Sequence, residues 1–192
     1  MRSFLWLTFL LLNLTQNTLC ILINVTVDDN DHSILYSPAG AWNARNAASS
    51  CPACTAQPDP TKMVSGTWHD STFYPIDEGT HDIPNINTPR FANLTFNGSA
   101  VYVFCALAES VKSPDGNSDM AFYVDGQLMG HFFRPALGND NIYEYQFPVF
   151  SNNSLAPGEH TLVLQNGRVN GTQSLVLLDY IVYTYVLIDT PA

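Results

Sequence analysis

Phe91-Ala-Asn-Leu-Thr-Phe-Asn-Gly-Ser-Ala-Val-Tyr-Val-Phe-Cys-Ala-Leu107 is the stretch whose reading decides the fold class, because two strand-like runs flank one Asn97-Gly98 pair. Asn-Gly supplies the two positive-φ positions of a two-residue type I′ turn, so a β-hairpin is expected here. In the first run Ala92, Leu94 and Phe96 share one face and Phe91, Asn93 and Thr95 the other, the pattern of a half-buried strand. In the second, Val101, Val103, Cys105 and Leu107 oppose Tyr102, Phe104 and Ala106, and both faces call for cover. Such a strand belongs in the middle of a sheet.

Toward the C-terminus, Met120–Val124 and Gln127–Phe133 flank Asp125-Gly126 and read as a second hairpin. Ile142–Phe150 alternates but contains Pro148, which places it at an edge or a bulge. His160–Gln165 follows a Pro157-Gly158 turn, and Ser174–Val186 is the last run. Val, Thr, Tyr, Phe, Asn, Gly and Pro dominate, with no helical period and no internal repeat. The expected class is therefore all-β: two antiparallel sheets packed as a sandwich or jelly roll.

At the N-terminus, Arg2 precedes an apolar run from Phe4 to Leu12, after which the chain turns polar. Nine residues rise only about 14 Å as a helix, well short of a bilayer core of roughly 30 Å, so the run reads as a secretory signal rather than a span. The expected division is residues 1–20 as signal peptide, cut after Cys20, residues 21–188 as one sandwich domain, and 189–192 as a short tail. Asp179 interrupts the last apolar run, which suits a sheet better than a membrane helix, so no span is expected in the mature chain. A secreted, extracellular protein follows, with the cell wall as a candidate location.

The formal net charge is −10, which disfavours nucleic acid and anionic membranes as partners. Five Asn-x-Ser/Thr sequons, at Asn24, Asn93, Asn97, Asn152 and Asn170, support export independently of the leader. Alternation puts Ile21, Ile23, Val25 and Val27 inward and Asn24 outward, and Asn93 is outward as well.

Between Asp28 and Asp70 the chain is loop-like, with one short strand at Ile34–Tyr36 and Cys51-Pro-Ala-Cys54 as an obvious pin. A Cys51–Cys54 disulfide would contribute about 2 kcal/mol by loop entropy, against about 4 if either paired with Cys105. The local pair is favoured, since Cys105 lies on an apolar face where a lone thiol packs as a small hydrophobe. Zinc would need two more ligands at suitable spacing, and a redox role would need a thioredoxin-like βαβ setting.

Tyr36-Ser-Pro-Ala-Gly-Ala-Trp42, Cys51-x-x-Cys54, Gln57-Pro-Asp-Pro60, Gly66-Thr-Trp-His-Asp70, Ala100–Cys105, Phe122-Tyr-Val-Asp-Gly126, Phe150–Leu155 and Leu178-Asp-Tyr-Ile181 span nearly the whole mature chain. Together they resemble an uncharacterised group of secreted or surface proteins of mushroom-forming (basidiomycete) fungi. The resemblance implies the galactose-binding-domain-like jelly roll found in many carbohydrate-binding modules, more firmly than it implies any activity.

Trp68, His69 and Asp70 offer an aromatic plate, a donor/acceptor and a carboxylate within three positions, a set suited to sugar recognition. Trp42 and Tyr74 on flanking loops are possible helpers. Adjacent strand residues face opposite ways, so a regular strand would split the three. Asp28, Asp29 and Asp179 are the calcium candidates, since related sandwiches carry structural calcium, although no loop has EF-hand spacing and the alternative for Asp179 is a basic or backbone partner. Otherwise no cofactor is expected. No Gly-x-Ser-x-Gly elbow, His-Glu-x-x-His helix or phosphate loop is present, and a glycosidase pair cannot be picked from the many acids. The expectation is a non-catalytic, lectin-like module for a glycan or cell-wall polysaccharide. A structural or adhesive wall glycoprotein is the alternative, ahead of a glycoside-active enzyme.

Overall fold

A computed structural model describes residues 19–49, 56–76, 85–112 and 116–189. Eleven strands are assigned: β1 Leu19–Asp28, β2 Ile34–Ser37, β3 Asn43–Asn46, β4 Thr67–Phe73, β5 Arg90–Gly98, β6 Ala100–Ala108, β7 Ser118–Val124, β8 Gln127–Arg134, β9 Tyr143–Asn152, β10 Gly158–Asn166 and β11 Ser174–Asp189. One sheet has the order β3-β4-β11-β6-β9, with β1 also on β11; the other has the order β2-β5-β10-β7-β8. All pairings are antiparallel. From β4 to β7 and again from β9 to β11 the chain changes sheet at every step, giving a jelly-roll β-sandwich. Among the described residues no helix is long and apolar enough to cross a membrane.

β5 and β6 do not form the hairpin that Asn97-Gly98 suggests, because they lie in opposite sheets. Neither Asn97 nor Gly98 has positive φ. The glycine serves close approach: a Cβ at Gly98 would lie 2.7 Å from the Thr184 carbonyl oxygen of β11. Ser99 N donates to that same oxygen at 2.7 Å, and its own carbonyl accepts from Leu155 N at 3.1 Å, so the corner is bonded on both sides. The reason is the apolar alternation itself. Ala92, Leu94 and Phe96 face Val101, Val103, Cys105 and Leu107 across the interior, where all seven are buried in one core. The central position expected for β6 is observed, between β11 and β9.

The second Asx-Gly pair does form its hairpin. Asp125 and Gly126 have φ of 53° and 76°, and β7 pairs with β8. Pro148 sits in β9, the edge strand of its sheet, next to a register shift. β1 departs from expectation, because it pairs with the far half of β11, beyond most of the core. Val27 is buried, but Ile21 is exposed, and Ile23 and Val25 are only half-buried.

A second, smaller apolar cluster lies on the outer side of the β3-β4-β11-β6-β9 sheet: Met63, Trp68, Ala106, Ala108, Leu175 and Leu177. Residues 56–66 cross it as a strap with 3₁₀ turns at Pro60–Lys62 and Val64–Gly66. Asp59 caps the first turn by accepting from Thr61 N at 3.0 Å. The strap places the candidate site.

Candidate functional site

β4 divides the expected trio between two faces. Trp68 and Asp70 point outward beneath the strap, whereas His69 points inward. Trp68 is only 6% exposed and packs among the apolar side chains under the strap, so it offers no open stacking plate. Its indole Nε1 is buried without an acceptor. Asp70 Oδ1 accepts from Asn43 Nδ2 at 2.8 Å and Oδ2 from Arg45 Nε at 2.9 Å, both from β3, which runs beside β4. Each carboxylate oxygen keeps further acceptor capacity.

Asp70, Arg45 and Trp68 line a cleft of about 240 Å³ closed by Asn46, Gln57 and Pro58. Ligand pockets typically measure about 300–1,000 Å³, so this one is the size of a single small ring. Across the strap a second cavity of about 410 Å³ is lined by Gln57, Asp59, Lys62, Asn141, Tyr143 and Tyr145. The two cavities share Gln57.

His69 instead joins an interior polar group. Its Nδ1 lies 2.7 Å from Asp29 Oδ2, and its ring stacks on Tyr36 at 4.1 Å between centroids. Tyr36 Oη donates to the Asp29 carbonyl, and Trp42, packed against Tyr36, donates from Nε1 to the Ser37 carbonyl. Burial raises the Asp29 carboxyl pKa despite bonds from His69 and Thr67. Tyr74 follows β4 and holds Asn87 N through its carbonyl at 2.8 Å. Trp42, His69 and Tyr74 are therefore not lining residues of the cleft.

The three calcium candidates do come together. Thr67 Oγ1 bonds Asp28 Oδ1 at 3.1 Å and Asp29 Oδ1 at 2.6 Å, and Asp29 N donates to the Asp179 carbonyl. Asp179 occupies a register shift in β11 and accepts from Val64 N of the strap at 2.8 Å, which is the backbone partner weighed for it. Asp28 Oδ2 and Asp179 Oδ2 are buried without donors. Both Asp29 oxygens and one of Asp179 accept hydrogen bonds from protein donors. Among the described residues no group of three or more His, Cys, Asp or Glu side chains is arranged to hold a metal. Burial pushes the Asp179 carboxyl up to about 6.

Cys51 and Cys54 lie outside the described residues, while Cys105 is a free, fully buried thiol. Asn24, Asn97 and Asn152 gather at one end of the sandwich, since Asn24 pairs with Thr184, which pairs with Ala100, and Asn152 pairs with Val101. Asn93 is on the outer face of the other sheet, bonded to the Leu35 carbonyl, and Asn170 meets Asn87 in an opposite loop. The strap and its cavities sit toward the end away from Asn24, Asn97 and Asn152. Arg45, Asn43, Gln57, Lys62, Tyr143 and Tyr145 were not legible as site residues. The one available signal was Tyr143-Glu-Tyr145, two aromatic residues two apart on an edge strand.

No protein-family model matches the chain, and no curated protein matches it. Among solved structures it is similar to a family 35 carbohydrate-binding module from Clostridium thermocellum, at 10% identity and a TM-score of 0.49, over 85% of this chain and 98% of that one. Another such module, from Paenibacillus barcinonensis, shows 10% identity and a TM-score of 0.47 over 87% and 99%. A Paenibacillus cycloisomaltooligosaccharide glucanotransferase shows 13% identity and a TM-score of 0.49 over 83% of this chain, which spans only 18% of that enzyme. With identities this low and scores below 0.5, the reading of the site rests on this chain's own geometry.

Proposed function

We propose that the protein is an exported, non-catalytic carbohydrate-binding module that holds a sugar ring in the cleft between β3 and the strap. One observation carries the reading: Asp70 and Arg45, an acceptor and a donor in contact, face the same ring-sized space beside Trp68. Vicinal sugar hydroxyls each donate and accept, so an acid beside a guanidinium satisfies a pair of them. N-glycans on Asn24, Asn97 and Asn152 would stand at the far end, away from the cleft. The acidic net charge favours a neutral glycan over an anionic one. Affinity should be modest, micromolar to millimolar, on the order of −4 to −8 kcal/mol.

The test is an array of neutral plant and fungal wall glycans with Asp70→Ala as control. The variant should lose binding while keeping the wild-type circular-dichroism spectrum, and prolonged incubation with any bound oligosaccharide should give no cleavage product. Trp68→Ala is not a clean probe, because Trp68 packs under the strap. The alternative is a structural or adhesive role, for which the exposed Leu128 and Phe133 on the outer face of the edge strand β8 are the candidate contacts. A wild type that binds nothing on the array would put that reading first.

A further inference from the structure

The second cavity, over β9, is built from parts that the first cleft does not use. Tyr143 Oη accepts from Gln57 N at 2.6 Å, and Tyr145 Oη accepts from Asp59 N at 2.7 Å. Each phenol thus holds the strap with its lone pairs and keeps its own proton to donate. Both phenol pKa values are raised, chiefly by burial, so the O–H groups persist across the physiological range. Lys62 places its ammonium 5.0 Å from the Tyr145 ring centroid and makes no ion pair with a described residue. Asn141, at φ 62°, adds an amide to the rim. The Asp59 carboxylate accepts from Thr61 N and Oγ1 through Oδ1 alone and leaves Oδ2 as an acceptor beside these donors.

The strap between the cavities is short and stiff. Pro58 and Pro60 fix φ at two of its positions, and the two tyrosine hydroxyls and Asp179 fasten its backbone. The distance from the Asp70 cleft to the tyrosine cavity is therefore set before any ligand arrives, which favours a ligand with two anchoring points.

We infer that the tyrosine cavity is a second sugar subsite, so that the strap face takes a linear neutral oligosaccharide of more than one ring rather than a single terminal sugar. Acceptor-rich ring and hydroxyl oxygens match the donors of Tyr143, Tyr145, Asn141 and Lys62, while Asp70 supplies the acceptor at the other end. This rests on the sugar reading of the first cleft.

The experiment titrates the protein with glucose and with β-1,3- and β-1,4-linked gluco-oligosaccharides and chito-oligosaccharides of up to six rings. Calorimetry and amide chemical shifts report the binding. At least one series should gain about tenfold or more in affinity between one and three or four rings. Lys62→Ala should remove that gain while leaving single-ring binding and the melting temperature close to wild type; Tyr145→Phe should remove it too, with a lower melting temperature, because it also releases Asp59 N. The paired variants guard against a loosened strap, since Lys62→Ala touches none of its backbone bonds. Single-ring binding at the Asp70 cleft with no length dependence overturns the second subsite and spares the first. A length gain that survives both variants also overturns it. No binding at any length, with the array blank as well, overturns the sugar reading itself.

Discussion

Two Asx-Gly pairs, Asn97-Gly98 and Asp125-Gly126, look interchangeable as sequence and are opposites as structure. At Asp125-Gly126 both residues take positive φ and the chain reverses within one sheet. At Asn97-Gly98 neither does, and the chain leaves one sheet for the other. A Cβ at Gly126 would meet nothing within 4 Å, whereas one at Gly98 would strike the backbone of β11. Glycine is therefore used for its backbone freedom in one place and for its lack of a side chain in the other. The flanking strands decide which. β7 and β8 expose much of β8 to solvent, while β5 and β6 each carry an apolar face that can be buried only by opposing the other across the core.

Gly98 is the more sensitive of the two glycines, because its missing side chain faces backbone. Gly98→Ala should destabilise the fold by about 3 kcal/mol, the upper part of the range for overpacking, because the clash is with a carbonyl and cannot be relieved by a rotamer. Gly98→Asn should be worse. Chemical denaturation measures both, and a Gly98→Ala change below about 1 kcal/mol would mean that the corner is not crowded.

This is also where the sequence was legible and where it was not. Alternation named the buried faces of β5 and β6 correctly and placed β6 in the middle of a sheet, since those are local consequences of a two-residue period. It could not say whether two facing apolar rows sit side by side or across from each other, which is settled by β11, some eighty residues further along. The site has the same limit. Trp68 and Asp70 were legible as neighbours on β4, but Arg45, Gln57 and Tyr145 reach them only through the β3–β4 pairing and the strap.

β11, the strand that crowds Gly98, carries its own irregularity at Asp179. Burial raises this carboxyl to about 6 from an ordinary value of 3.8, so the folded state holds the proton more tightly than the unfolded state does. Its ionised form thus lowers stability at neutral pH. That loss is recovered as pH falls through about 6 and is fully recovered below the unfolded value; Asp29, raised the same way, acts in the same direction. Melting temperature should accordingly rise between pH 7 and pH 5. Asp179→Asn, which keeps an oxygen for Val64 N, should match or exceed the wild type at pH 7 by about 1–3 kcal/mol and flatten that rise. EDTA should leave the wild-type melt unchanged at either pH. A variant that melts lower than wild type, or a wild type stabilised by added calcium, would restore a cation to this place.

Gly126 offers the milder half of the contrast. Gly126→Ala should cost about 1 kcal/mol, the intrinsic penalty of a left-handed residue with open space around it. Gly126→Asn should recover part of that, because asparagine tolerates this conformation. The two substitution series thus run in opposite order, with Asn worse than Ala at 98 and better than Ala at 126. Asn better than Ala at both sites would show that backbone conformation, rather than contact, governs each.

The smallest expected effect concerns His160, which touches both regions. It pairs with Phe96 next to the Asn97 corner, and its Nδ1 lies 2.7 Å from Asp125 Oδ2 in the hairpin turn. Its Nε2 lies 2.7 Å from the Ala156 carbonyl, so both nitrogens face acceptors and both can donate only as imidazolium. The Ala156 carbonyl first and Asp125 second raise the imidazole pKa, and the same contact lowers that of Asp125. A histidine raised in the folded state lends stability that is fully present below its unfolded value near 6.5 and fades as pH rises through the folded value. The melt should therefore fall slightly between about pH 6 and pH 8 in wild type, and less in His160→Gln, most visibly in a background carrying Asp179→Asn. Because Asp125 is open to solvent, added salt should shrink the effect. Direct titration of the His160 ring by NMR decides the point, since a value at or below 6.5 would mean that the imidazolium does not join the turn to the corner.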